Sequence, residues 1–120
     1  MKNKTLVLGA SENPERYSNK AIVRLKDHGH YVVAIGRRAG SVSGVPIATS
    51  NPELEDIDTV TLYLNPLNQQ PYYDYILSLK PRRIIFNPGT ENDELEEMAA
   101  KAGIKVQEAC TLVLLGTGQY

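Results

Sequence analysis

Lys4-Thr5-Leu6-Val7-Leu8-Gly9-Ala10-Ser11-Glu12-Asn13-Pro14-Glu15-Arg16-Tyr17-Ser18-Asn19-Lys20 is the stretch around which the whole chain reads. Thr5 to Leu8 is a short, apolar, partly β-branched run that stops at Gly9. Small and turn-forming residues follow, namely Ala10, Ser11, Asn13 and Pro14, and a helical pattern begins near Ser18. Strand, tight loop and helix in that order bring backbone N–H groups together on an anion. Gly9 turns the chain without a Cβ penalty. Ala10 and Ser11 let a ligand approach the main chain. The helix start adds unpaired donors and the positive end of its dipole. The stretch is therefore expected to be a phosphate-binding turn. It carries neither the full G-x-G-x-x-G fingerprint nor the lysine-bearing G-x-x-x-x-G-K-[ST] loop.

The chain beyond this turn alternates strands and helices. Ser18 is expected to cap a helix over residues 18–28, with Ala21, Ile22 and Leu25 on one face and Gly29 ending it. Tyr31 to Ile35 is apolar on both faces, the mark of a strand buried on both sides in a parallel sheet. Arg37-Arg38-Ala39-Gly40-Ser41 reads as a polar loop and Val45-Pro46-Ile47-Ala48 as a short edge strand, where proline is tolerated. Ser50-Asn51-Pro52-Glu53 matches a capping box and predicts one or two helical turns. Thr59 to Leu64 is the next strand.

Asn65-Pro66-Leu67-Asn68 opens a helix on which Tyr72, Tyr75, Ile76 and Leu79 share a face, with Pro71 in the first turn and Lys80-Pro81 at the end. Arg83 to Phe86 is a strand stopped by Asn87-Pro88-Gly89. Thr90 or Asn92 caps a helix with Leu95, Met98, Ala99 and Ala102 inward, and Ile104 to Gln107 is the last strand. The apolar run from Cys110 to Leu115 fits a helical turn or a docked tail. This alternation specifies an α/β fold, a Rossmann-like doubly wound parallel sheet in three layers, with residues 1–120 as one domain and a strand order near 3-2-1-4-5. The loops after Gly9, Leu64 and Phe86 then converge on one crevice, with Gly36-Arg37-Arg38 at its rim.

Bulk properties narrow the function. The chain has 120 residues, 13 basic and 14 acidic, for a net charge of −1. That balance leaves no electrostatic footprint for nucleic acid or an anionic membrane. The single cysteine, Cys110, rules out an internal disulfide and a cysteine-based metal cluster. Met1-Lys2-Asn3-Lys4 runs straight into a strand, and no apolar run approaches the ~20 residues that span a bilayer. A cytoplasmic domain is expected.

The loop after the second strand bears on the ligand. A NAD site wants a carboxylate there to hold the ribose 2′-hydroxyl. This chain has Gly36-Arg37-Arg38, and a pair of guanidiniums suits a phosphate on the ribose. NADP carries a 2′-phosphate and coenzyme A a 3′-phosphate, so both remain open on these residues alone.

Gly9-Ala10-Ser11, Asn13-Pro14, Ser18, His28-Gly29-His30, Asn87-Pro88-Gly89, Gly103 and Cys110, taken in order and spacing, resemble the small stand-alone CoA-binding proteins. That family is similar to the first domain of the succinyl-CoA synthetase α subunit. The resemblance implies a Rossmann-like domain holding CoA by its pyrophosphate at Gly9, Ala10 and Ser11, with Asn13 and Ser18 nearby. It places Arg37 or Arg38 at the 3′-phosphate, and Leu64, Asn65 and Pro66 along the adenine and pantetheine path. Asn87, Pro88 and Gly89 form the opposite lip. Cys110 lies toward the thiol end, where a mixed disulfide is chemically reasonable. Two loops depart from the family pattern: Gly36-Arg37-Arg38 replaces Asn-Pro-basic, and Asn87-Pro88-Gly89 replaces Gln-x-Gly.

No acid, base or nucleophile constellation stands out. His28 and His30 have no third partner at metal spacing, and Glu91 to Glu97 is an acidic helix start that favours the dipole. The related synthetase does its chemistry on a phosphorylated histidine in a later domain, so ligase activity is not implied. The expected role is non-catalytic binding of CoA or an acyl-CoA. The alternatives are an NADP-binding reductase-like subunit and a ligand-free interaction protein on the same fold. Tyr72, Tyr73 and Tyr75 are expected to pack the helix or to form a homodimer contact.

Overall fold

A computed structural model describes residues 4–120; the expected lead-in Met1-Lys2-Asn3 lies outside them. The strands are β1 (Lys4–Ala10), β2 (Tyr31–Gly36), β3 (Gly40–Val42), β4 (Val45–Ala48), β5 (Thr59–Leu62), β6 (Arg83–Phe86) and β7 (Lys105–Glu108). The helices are α1 (Tyr17–Asp27), α2 (Pro66–Gln69), α3 (Tyr73–Ser78), α4 (Asp93–Lys101) and α5 (Thr111–Gly116). The strands form one sheet in the order β3-β4-β2-β1-β5-β6-β7, parallel throughout except for the β3–β4 hairpin. With the extra edge strand β3 set aside, the remaining strands run 3-2-1-4-5-6, the Rossmann-like order expected. β1 is central, and its side chains alternate between two layers. Leu6 and Leu8 pack with Ile76, Phe86 and Leu95 on one face, and Val7 packs with Ile22, Leu25 and Leu115 on the other.

Five local expectations change. Gly40–Val42 is a strand, not a loop, so β4 lies inside the sheet and β3 forms the edge. Residues 51–58 form no helix, despite their capping-box pattern. That segment must carry the chain from β4 past β2 and β1 to β5. A helix advances about 1.5 Å per residue against about 3.3 Å for extended chain, so a short segment reaches only if extended. Ser18 does not cap α1. A turn closed by Arg16 N–H donating to Asn13 O (3.0 Å) brings Arg16 to the N-cap, and the helix starts at Tyr17. Pro71 falls in a 3-10 turn (Gln70–Tyr72) that divides α2 from α3, because proline has no N–H to continue the ladder. Asn92, rather than Thr90, caps α4, and Ala102 is exposed at its end. The run after Cys110 is helical and packs beside α1.

The tyrosines of the third helical segment turn inward. Tyr72, Tyr73 and Tyr75 are half-buried against the core, and Tyr75 donates its hydroxyl to Pro52 O at 2.6 Å. Gln69 is fully buried and joins two loops. Its Nε2 donates to Leu64 O and Thr90 O, both at 2.8 Å, and its Oε1 accepts from Asn92 Nδ2 at 2.8 Å.

Among the described residues no helix is long and apolar enough to cross a membrane.

Two predictions follow from this packing. Gln69→Leu leaves the Leu64 and Thr90 carbonyls without this partner and the Asn92 amide with Tyr73 Oη alone, and a loss of roughly 2–4 kcal/mol is expected in denaturant unfolding. The second concerns Glu96 on α4, one of whose carboxyl oxygens is buried without a partner beside Glu108 of β7. Burial, and then the neighbouring Glu108 carboxylate, push the Glu96 carboxyl up from 4.5 to about 7. The folded state thus binds more protons than the unfolded state between these values, so stability falls as pH rises. The melting temperature should drop between pH 5 and 8 in the wild type. Glu96→Gln should lose most of that slope and be the more stable form at pH 8.

Candidate functional site

The carboxyl ends of β1, β2, β5 and β6 open on a crevice of about 920 Å³, large enough for a cofactor. Its shape starts at Gly9. That residue takes φ +101, and a Cβ there would lie 3.1–3.2 Å from Tyr63 and Leu64. The pairing of β1 with β2 shifts at this point, so that Ala10 faces Gly36. Gly36 shows why its side chain is missing: a Cβ would meet Ala10 O at 2.3 Å. The close passage lifts the following loop over the sheet.

The loop organises itself. Asn13 N–H donates to Ser11 Oγ (3.1 Å), Glu15 N–H donates to Asn13 Oδ1 (2.9 Å), and Asn19 Nδ2 donates to Ser11 O (2.9 Å). At its end α1 begins without a side-chain cap and with no acidic residue in its first turn. Asn19 N–H already donates to Arg16 O (3.1 Å), so the N–H groups of Tyr17 and Ser18 are the unpaired donors at the positive pole of an 11-residue helix. Ser18, in the first turn, lines the crevice although only 3% exposed, and among the described residues its hydroxyl has no partner.

Charge on the walls is mostly positive. Arg16, Arg37 and Arg38 line the crevice, and Glu12 is the acid among them. The ion pairs among the described residues are Arg82–Asp58 and Lys101–Glu97, so no crevice arginine is neutralised by one.

The expected site residues divide into two groups. Gly9, Ala10, Ser11, Asn13, Ser18, Arg37, Arg38, Leu64, Asn65 and Pro88 line the crevice. Gly36, Pro66, Asn87, Gly89 and Cys110 are not among its lining. Gly36 is buried beneath the loop, and Pro66 starts α2 behind Asn65, whose Oδ1 accepts from Asn68 N–H. Asn87 is spent inside the protein. Its Nδ2 donates to Thr61 Oγ1 (2.7 Å) and Leu62 O (2.9 Å), and its Oδ1 accepts from Thr111 N–H (2.8 Å). Gly89 N–H donates to Glu91 Oε1. Cys110 is a partly exposed free thiol just before α5.

The structure adds lining residues that sequence reasoning passed over: Glu12, Arg16, Tyr17, Ala39, Tyr63, Asn68 and Thr90. Arg16 was legible as a basic residue beside a helix start. Tyr63 was not, since it reads as one more strand residue. Its hydroxyl is buried without a partner, near Thr61 and Thr111, and burial pushes it up to about 12.

Comparison with known proteins bears on the family and the fold. A family model described as a CoA binding domain matches residues 3–116. A crystal structure of an uncharacterized protein is 52% identical, with a TM-score of 0.97, covering 100% of this chain and 99% of its own. A hypothetical protein from Pyrococcus horikoshii OT3 is 24% identical, with a TM-score of 0.84, covering 93% of this chain and 80% of its own. The dinucleotide-forming acetyl-coenzyme A synthetase 1 of Ca. Korarchaeum cryptofilum, solved with phosphate and ADP, is 19% identical at a TM-score of 0.71. There the likeness covers 89% of this chain but 25% of the synthetase, and it is one of fold. No curated protein sequence matches the chain. The family match spans nearly every element that builds the crevice, and the chain belongs to the CoA-binding domain family.

Proposed function

We propose that this protein is a binding module for coenzyme A or an acyl-CoA, held in the crevice at the carboxyl ends of β1, β2, β5 and β6. The observation that carries the reading is the start of α1. The Ser18 hydroxyl and the N–H groups of Tyr17 and Ser18 stand together where β1 ends, and no described residue pairs with them. Donors left free at a helix start beside a concave surface suit an anionic acceptor. A pyrophosphate meets that need, with Gly9, Ala10, Ser11 and Asn13 around it and Ser18 beneath.

Arg37 and Arg38 provide the second anchor. They stand on the rim after β2, exposed and without an ion-pair partner, and would take the ribose 3′-phosphate of CoA. Arg16 adds a cation at the helix start. Leu64, Asn65 and Pro88 wall the path that leads away from the pyrophosphate toward the pantetheine. No described residue pairs a nucleophile with a base in the crevice, and the module's role is to hold its ligand. We place it in the cytoplasm, where CoA is abundant.

The test is a thermal-shift and calorimetric screen with CoA, acetyl-CoA, dephospho-CoA, NADP and ATP. CoA at about 100 times its Kd should stabilise the fold by roughly 2.7 kcal/mol. Ser18→Ala and Arg37→Glu should each weaken CoA by about tenfold or more, near 1.4 kcal/mol, while leaving the unliganded melting temperature almost unchanged. Gly9→Val should destabilise the fold and abolish binding together. A shift with NADP and none with CoA would move the site to a reductase-like subunit. No shift with any nucleotide, and no effect of Arg37→Glu, would leave an interaction protein on this fold.

A further inference from the structure

We infer that Glu12 is a positioning residue for the ligand: its carboxylate straps the β1–α1 loop to β3 and so fixes the separation of the two anion anchors. The inference rests on the CoA reading above. Glu12 Oε2 accepts a hydrogen bond from Ser41 N–H at 2.9 Å, across 29 residues of sequence. Ser41 belongs to β3, the edge of the sheet, where outward N–H groups lack a strand partner. Glu12 supplies one from the loop above.

Gly40 shows that the contact is built into the backbone. Its φ lies outside the left-handed region, so its conformation does not call for glycine. What calls for glycine is space. A Cβ at Gly40 would fall 2.2–2.6 Å from the carboxyl atoms of Glu12. The strand carries a notch, and the carboxylate sits in it. The strap spans the short stretch Arg37-Arg38-Ala39 and ties its far end to the loop that carries Ser11 and Asn13.

Simple electrostatics argues against an acid here. A carboxylate among Arg16, Arg37 and Arg38 offsets the positive field that a polyanion needs. The strap gives it a reason. A ligand that carries both a pyrophosphate and a ribose phosphate binds at two points, and the second point counts fully only when the two anchors are held at the right distance. The two accounts predict opposite signs. If charge rules, removing Glu12 tightens CoA. If the strap rules, removing it weakens CoA, and dephospho-CoA, which lacks the 3′-phosphate, is largely spared.

The experiment is calorimetry with CoA and dephospho-CoA on the wild type, Glu12→Ala, Glu12→Gln and Gly40→Ala, with hydrogen exchange at the Ser41 amide. The atoms facing a new Gly40 Cβ are the tip of a flexible side chain, so Gly40→Ala expels the carboxylate and spares the fold. Glu12→Ala and Gly40→Ala should lose about tenfold for CoA and less than about threefold for dephospho-CoA, and their Ser41 amide should exchange faster. Glu12→Gln keeps an acceptor oxygen and should match the wild type in all three readouts. Tighter CoA binding by both Glu12 variants overturns the proposal, as does an equal loss for both ligands or an unchanged ratio. A wild type that binds neither ligand overturns the CoA reading and takes this one with it. A wild type that binds both, with variants that do not move, overturns this one alone.

Discussion

At Gly9 the end of the central strand turns through a φ of +101 beside Tyr63 and Leu64, where a Cβ would be crowded at 3.1–3.2 Å. Much of the crevice follows from that turn. A residue with a Cβ would be strained by that φ and would press on Tyr63 and Leu64. With glycine, β1 rises through a φ of +101, Ala10 slips one position relative to β2, and Ser11 starts a loop above the sheet. Gly36 answers from the neighbouring strand, where the Ala10 carbonyl occupies the place of its missing Cβ. Two close passages, one on each side of β1, turn an ordinary strand end into a crevice. They also fix where α1 begins, and therefore where its unpaired N–H groups point.

Beneath the crevice lies a layer that a parallel sheet would usually fill with aliphatic side chains. Here it is polar. Thr61, Asn87 and Thr111 form a closed set of hydrogen bonds, with both amide protons of Asn87 and its oxygen in use. At the other end of the same face Arg83 is buried under the ring of Tyr120, 4.6 Å from its centroid, while the Tyr120 hydroxyl bonds Thr5. The Thr61–Asn87–Thr111 set is fully paired, whereas Arg83 keeps one buried Nη2 without a partner; satisfied networks in a low dielectric hold their geometry tightly, because each break exposes a costly group. Such a layer specifies where α5 sits more sharply than oily contacts would. α5 is only 6 residues long, too short to be stable alone, and it needs that specification.

The fold was legible because its signals are local and repeated. The strand-to-helix alternation, the glycines after α1 and α4 and the apolar strands all survive in the structure. What was hidden depended on distance across the fold. Ser50-Asn51-Pro52-Glu53 has the right residues for a helix start, but the chain there must bridge several strands and cannot coil. Gly40-Ser41-Val42 shows no strand propensity and becomes one because β4 offers it a partner. The site divides in the same way. Gly9 through Ser18 form one continuous loop and helix start, and sequence order places them together. Asn87 sits on a correct loop yet faces inward, since Thr61 and Thr111 outbid solvent for its amide. Tyr63 and Glu12 reach the crevice only through the third dimension.

Buried polar atoms without a partner lie both at the crevice, in the Tyr63 hydroxyl, and away from it, at Arg83 Nη2 and Glu96 Oε2. At the crevice walls the Ser18 hydroxyl and the first two amides of α1 have no partner among the described residues, and the three guanidiniums there have no ion pair among them. Each could have been silenced by one substitution: an acidic or hydroxyl residue at position 16 would cap the helix, and a phenylalanine at 63 would remove an orphan hydroxyl. The polar layer under α5 shows that this chain pairs Asn87, Thr61 and Thr111 completely where nothing else competes for them. Stability left unclaimed at a concave surface is recoverable by whatever binds there, since a ligand that satisfies the groups contributes their pairing energy to the complex rather than to the empty fold. At the crevice these groups share one concave surface, and an anion with more than one phosphate would pair several of them at once.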